Sequence, residues 1–314
     1  VALHDVFPER VYLDPLDPEG LRRAVLARHA MSGFELRFLP PPPSLLGSLR
    51  ALRQQRPAPK GAERLLGIGD PVIGRVQSVA CDSVQLAALR AAPPLETPLD
   101  DTGTLADPAF LAALPRLPDT VCELRAIASG FGADRQQLIL GAEATETQIK
   151  ALDQNGALAA ADVLVFATHG LTAGEAGADS PGLVLTPPQR ASDMDDGLLS
   201  AAEIATMTLN ARLVVLSACN TAAGGADDAD GLSGLARAFF QSGAQALLVT
   251  HWSVYSSAAV EITTGLFDAR RRDPDLREAD ALRAATLAIL DSPGRPAWHY
   301  HPSYWAAFTV VGAQ

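Results

Sequence analysis

The chain lacks any stretch approaching the roughly 20 apolar residues that a membrane-spanning helix requires. Its first residues, "VALHDVFPER", carry neither an initiator Met nor the charged-then-apolar pattern of a secretory leader. That start reads as cut from a longer chain, with further domains expected upstream. Cysteine is scarce: Cys81, Cys122 and Cys219 are the only thiols in 314 residues. An odd number without regular spacing makes no disulfide framework, and no pair stands at metal-ligand spacing. Reduced thiols and a cytoplasmic location are therefore expected. Basic clusters are scarce too. Lys and Arg number 25 against 36 Asp and Glu, a net charge of −11. That balance excludes a nucleic-acid or anionic-membrane surface built on clustered cations. The short runs Arg22-Arg23 and Arg270-Arg271-Arg272 read as solvated helix faces.

Several ligand motifs are absent as well. "GIGDPVIG" (67–74) is not a dinucleotide-binding fingerprint, because its third glycine is misplaced and Asp-Pro interrupts the helix start. The acidic loop of Asp227, Asp228 and Asp230 lacks the ligand spacing of a calcium-binding EF-hand loop, so helix capping and solvation account for it. His299 and His301 have no thiol or carboxylate companion nearby in sequence, which favours packing or surface roles over a metal site. No metal and no cofactor is expected.

What is present is an apolar share of 48% with charged residues at 19%, enough for a large core. The first sixty residues are helix-prone but punctuated, with a strand-like "GFELRFLP" between two helical patterns and a run of four prolines. "RPAPKGAE" (56–63) has the composition of a linker. The expected division is a small N-terminal companion unit over 1–60 and a main domain over 61–314. In the main domain apolar strands alternate with helices. "RLLGIGDP", "RQQLILGAEAT", "ADVLVFATHG", "ARLVVLSACN", "AQALLVTHWSV" and "WAAFTVVG" read as strands. Helices are expected over 119–131, 145–155, 230–243 and 278–290, with another capped by Ser200. The stretches 103–118, 174–182 and 222–231 read as surface loops. Continuous Val/Leu/Ala strands alternating with helices predict an α/β fold, a mostly parallel central sheet covered on both faces.

In such sheets ligands bind beyond the carboxyl ends of the strands. Two strands carry a reactive side chain there: "VLVFAT" leads into His169, and "VVLSA" into Cys219. A thiol attacks only as a thiolate and needs a base. A neutral imidazole takes that proton and returns it to a leaving amine. Gly170 follows the histidine, so its N–H and that of Cys219 are candidates for stabilising an oxyanion. Taken alone, Cys219 reads as a packed core thiol; paired with His169 it reads as a nucleophile.

The blocks "VLVFATHG", "GLLSAAEIATMTLNARLVVLSACNTAAGG", "DGLSGLARAFFQSGAQALLVTHWSV" and "HPSYWAAFTVVG", in this order, resemble the CHAT family, caspase-like domains often found after tetratricopeptide repeats in bacteria. The resemblance spans nearly the whole chain. It implies a caspase-like three-layer sandwich and cysteine endopeptidase activity, with His169 as general base and acid and Cys219 as nucleophile. Two departures stand out: His251 replaces a usually apolar residue, and Asp230 a common Glu. In relatives a pocket near the cysteine selects the substrate, which makes Ser217, Asp230 and Trp252 the candidate substrate-binding residues. Ser217 offers no charge for such a choice, and Trp252 fits a core position nearly as well as a cleft. The implied partners are a protein or peptide substrate and a regulatory partner or upstream repeat domain. The rival expectations are a catalytically quiet, caspase-shaped scaffold and a cysteine hydrolase acting on small molecules.

Overall fold

A computed structural model describes residues 63–74, 81, 105–217, 234–252 and 254–312. The expectations for 1–62, and those for Cys219, Asp227, Asp228 and Asp230, lie outside the described residues. Among the described residues, nine strands form two sheets: β1 (Leu65–Gly69), β2 (Gln136–Leu140), β3 (Val163–Ala167), β4 (Gly170–Leu171), β5 (Gly182–Val184), β6 (Leu198–Ser200), β7 (Leu213–Ser217), β8 (Ala246–Thr250) and β9 (Phe308–Gly312). The main sheet runs β2-β1-β3-β7-β8-β9. Its pairs are parallel except at β9, which runs antiparallel to β8. Every residue of β1, β3, β7 and β8 is buried, as continuous apolar strands under two layers of helix must be.

Because successive side chains point to opposite faces, each strand feeds two cores. Leu164, Phe166, Val214, Leu216, Leu247 and Val249 enter one core. It is covered by α3 (Glu146–Gln154), α4 (Ala157–Ala160), α5 (Ala201–Thr206) and α6 (Gly234–Gln241). Val163, Val165, Leu213, Val215 and Leu248 enter the other, under α2 (Thr120–Ala128), α7 (Ser256–Arg272) and α8 (Glu278–Leu290). The expected three-layer sandwich with a mostly parallel sheet is therefore present. Local signals explain the helix ends. Thr145 caps α3 through the amide of Gln148, and Ser200 and Glu203 close a capping box on α5. Past α6, Gly243 turns at φ 112° with its Cα against the carbonyl of Leu209, where a Cβ would come within 2.2 Å of the oxygen; only glycine fits there.

The second sheet, β4-β5-β6, is antiparallel and follows β3 directly. It roofs a satellite core of Ile73, Leu111, Leu114, Leu171, Ala176, Ala178, Val184 and Leu198. Two stretches expected as surface loops belong to this core instead. Residues 105–118 hold a short helix, α1 (Pro108–Ala113), capped by Asp107, and bury Leu111, Leu114 and Leu117. In 174–182, Ala176 and Ala178 are buried. Glycine and aspartate suggested solvent there, but small side chains also permit close packing. The approach to β6 is tied down from α3, where Glu146 accepts hydrogen bonds from the amides of Asp196 (2.9 Å) and Gly197 (3.3 Å).

One expectation fails outright. Cys81 and Cys122 form a disulfide, with Cα atoms 5.3 Å apart, so these two thiols are not reduced. The third cysteine made the count odd without preventing the other two from pairing, and with the bridge the inference of a reducing compartment loses its basis. The arginine run also divides. Arg270 is mostly buried and pairs with Glu63 at 3.0 Å, whereas Arg271 and Arg272 are exposed. Among the described residues, no helix is long and apolar enough to cross a membrane.

Candidate active site

The register of β3 with β7 runs Val163↔Leu213 through Ala167↔Ser217. Each β3 residue thus faces the residue 50 positions later. His169 stands two residues beyond Ala167, as Cys219 stands two beyond Ser217 in sequence. The fifty-residue spacing of the two reactive groups is therefore the spacing of two adjacent parallel strands. Ser217 ends β7 as a buried residue.

His169 is held from several directions. Its carbonyl accepts from the amide of Val184 at 2.9 Å. Thr168, fully buried, donates its hydroxyl to the carbonyl of Val184 at 2.5 Å. One residue of β5 thus clasps both residues that follow β3. The imidazole is itself buried, with 1% exposure, and its Nε2 lies 2.7 Å from the carbonyl oxygen of Pro115. A carbonyl can only accept, so Nε2 carries the hydrogen and Nδ1 is the basic nitrogen of the neutral ring. That bond fixes the tautomer and the ring plane.

Gly170 opens β4 opposite Leu183. The bond from the Val184 amide to the His169 carbonyl makes this a non-hydrogen-bonded pair, so the Gly170 N–H points away from β5. Trp252 lies just past β8, half-buried, and donates from Nε1 to the carbonyl of Ser303 at 3.3 Å. It packs against the core beneath α7, so it serves core and edge together. The neighbouring His251 bonds Thr309 at 3.0 Å, and burial lowers its pKa. His299 stacks on Tyr304 with ring centroids 4.6 Å apart, and His301 caps the turn at Ser303.

Three contributors escaped sequence reasoning: Pro115, Arg116 and Asp70. Pro115 acts through a main-chain carbonyl, which no side-chain pattern announces. Arg116 grips Asp70 with a two-pronged ion pair, Nε to Oδ1 at 3.1 Å and Nη2 to Oδ1 and Oδ2 at 2.9 and 3.0 Å. Burial pushes the Asp70 carboxyl above its ordinary pKa, with Arg116 pulling against that. The available signal was position: Asp70 directly follows β1, at the same sheet edge as His169.

Tetratricopeptide repeat protein 28 of Mus musculus is 34% identical over 116 residues, which is 37% of this chain and 4% of that protein. Its Homo sapiens counterpart is 31% identical over a span of the same size. The chain thus spans about 4% of the length of these relatives. Among solved structures, the Arg specific cysteine proteinase gingipain R is similar at a TM-score of 0.44 and 11% identity, over 81% of this chain and 47% of that one. A complex of the Porphyromonas gingivalis RgpB pro- and mature domains matches at a TM-score of 0.42 and 10% identity, over 81% of this chain and 48% of that one. Both are too distant to bear on activity. The match to the CHAT domain, in contrast, runs from residue 16 to 313, and the chain belongs to the CHAT domain family.

Proposed function

We propose that the chain is a caspase-like cysteine endopeptidase in which His169 and Cys219 form the catalytic dyad. The observation that carries this reading is the bond between His169 Nε2 and the Pro115 carbonyl, because it prepares Nδ1 as a base at the strand end adjacent to β7. In the proposed reaction Nδ1 takes the Cys219 thiol proton, and the thiolate attacks the carbonyl carbon of the scissile peptide. The tetrahedral oxyanion is met by the N–H groups of Gly170 and Cys219. Collapse breaks the C–N bond, the imidazolium returns its proton to the departing amine, and a thioester remains. Water, deprotonated by the same nitrogen, then releases the acid and restores the thiol. No metal and no cofactor enters this sequence.

Ser217, Asp230 and Trp252 are assigned to substrate contact, with the Trp252 ring as the apolar wall nearest β8. A protein or peptide is the proposed substrate. A regulatory partner or repeat domain is the proposed context, since the similar curated proteins are named for tetratricopeptide repeats. Cleavage of a peptide library tests the reading. Wild-type protein is expected to cut a restricted set of sequences, and Cys219→Ala and His169→Ala are each expected to abolish cutting while remaining folded. Full cleavage by purified Cys219→Ala protein would refute the assignment.

A further inference from the structure

We propose that Asp70 is a positioning residue for His169, acting through Arg116 and the Pro115 carbonyl. The inference rests on the dyad reading above, and it concerns how the base is kept in one tautomer. The contacts form a continuous chain. His169 Nε2 meets the Pro115 carbonyl at 2.7 Å. Arg116, the next residue, is clamped by both oxygens of Asp70. A planar guanidinium held at two points cannot rotate away as a single hydrogen bond would allow. The peptide unit between Pro115 and Arg116 is thus flanked by a proline, whose φ is locked, and by a side chain held at two points.

The surroundings hold the same geometry. Asp70 has a φ of 50°, a left-handed conformation uncommon for a residue with a side chain and concentrated where the surrounding structure demands it. Its amide donates to Thr120 Oγ1 at 3.2 Å, and that hydroxyl donates to the Leu117 carbonyl at 2.7 Å. Asp70 thus grips the 115–120 segment with its side chain on one side and its amide on the other. Further along, Gly74 donates to the Ala112 carbonyl at 2.8 Å. A Cβ on Gly74 would lie 2.7 Å from the Leu114 oxygen, so the two segments are laid directly together. The pair is also shielded, with side-chain exposures of 18% for Arg116 and 11% for Asp70. An exposed ion pair would be worth little to stability or to geometry; a shielded two-pronged one directs the atoms it holds.

Charge argues the same way. Among the described residues, the other charged groups acting on Asp70 are Asp119 and Arg125, at and within α2. Removing the Asp70 carboxylate takes a negative charge from this cluster, which disfavours the imidazolium form. Loosening of the Pro115 carbonyl works in the same direction, since that carbonyl stabilises a donating ring.

The test is nitrogen NMR of the His169 ring in the full chain, combined with labelling of Cys219 by a peptide-based electrophile across pH. In wild type the ring is expected in the Nε2–H tautomer. In Asp70→Asn it is expected as a mixture of tautomers, with its pKa lowered. Labelling or turnover is expected to slow by about 10- to 100-fold, with KM little changed. Arg116→Lys keeps the charge but removes the fork; it should reproduce the tautomer mixture, and it serves if Asp70→Asn does not fold. A folded Asp70→Asn protein with wild-type tautomer, pKa and labelling rate would overturn the proposal. If wild-type Cys219 does not label at any pH, the dyad reading fails, and the ring spectrum still decides whether Asp70 sets the tautomer.

Discussion

Replacing Thr168 with valine isolates the clasp that holds His169. The two side chains have the same shape, so the substitution opens no cavity and removes only the hydroxyl. That hydroxyl lies in a fully buried residue and donates to the Val184 carbonyl at 2.5 Å. Leaving a buried carbonyl short of a donor costs about 1–3 kcal/mol. For a domain of this size each kcal/mol moves Tm by about 2–4 °C, so Thr168→Val should melt between about 2 and 12 °C below wild type. The effect on function should be larger. Val184 donates to the His169 carbonyl on its other side, so a relaxed β5 lets the base drift, and misplacement by about 1 Å can cost about 100-fold in rate. Differential scanning calorimetry and peptide cleavage on the same preparation measure both. Thr168→Ser, which keeps the donor, should recover most of the loss. If Thr168→Val unfolds within about 0.5 kcal/mol of wild type, the hydrogen bond does not carry the role given to it.

Two further outcomes follow from the fold. Alkylating the denatured, unreduced protein should modify one cysteine of three, Cys219, because Cys81 and Cys122 are bridged. Reduction should lower Tm, since the bridge closes a loop with a sequence separation of 41, worth up to about 4 kcal/mol by chain entropy; three alkylations without reductant would contradict this. The second concerns Glu146, which shares Lys150 with Glu203. Burial first, then the neighbouring Glu203, raises the Glu146 carboxyl from 4.5 to about 8. The folded state then holds a proton that the unfolded chain releases. The stabilisation is complete below about 4.5 and is lost as pH rises through about 8, with a steepest slope of about 1.4 kcal/mol per pH unit. Tm should therefore fall between pH 5 and 8 in wild type, and Glu146→Gln should flatten that slope; an equal slope in both proteins would refute it.

The sheet was legible because its strands are short apolar runs that only a doubly covered parallel sheet can bury. Helix 278–290 matched its predicted ends, and Ser200 capped where its side chain indicated. The antiparallel β4-β5-β6 sheet was not legible. Its strands are two or three residues long, too short for alternation to register. The Pro115 contact was hidden for a different reason, because main-chain acceptors leave no compositional trace and 105–118 looked like a loop. The Cys81–Cys122 bridge joins residues 41 apart, and only tertiary packing brings such a pair together. His169 was found by position at a strand end, whereas Asp70, at the end of β1 by the same logic, was passed over because its Asp-Pro context was read only as a helix breaker.

The central claim is that Cys219 is a nucleophile activated by His169. Intact-mass measurement with a peptide-based electrophilic probe addresses it directly. The account predicts a single adduct, mapped to Cys219, formed quickly by wild type, at least about 100-fold more slowly by His169→Ala, and not at all by Cys219→Ala. Equal labelling of wild type and His169→Ala, or an adduct elsewhere in the chain, would contradict it.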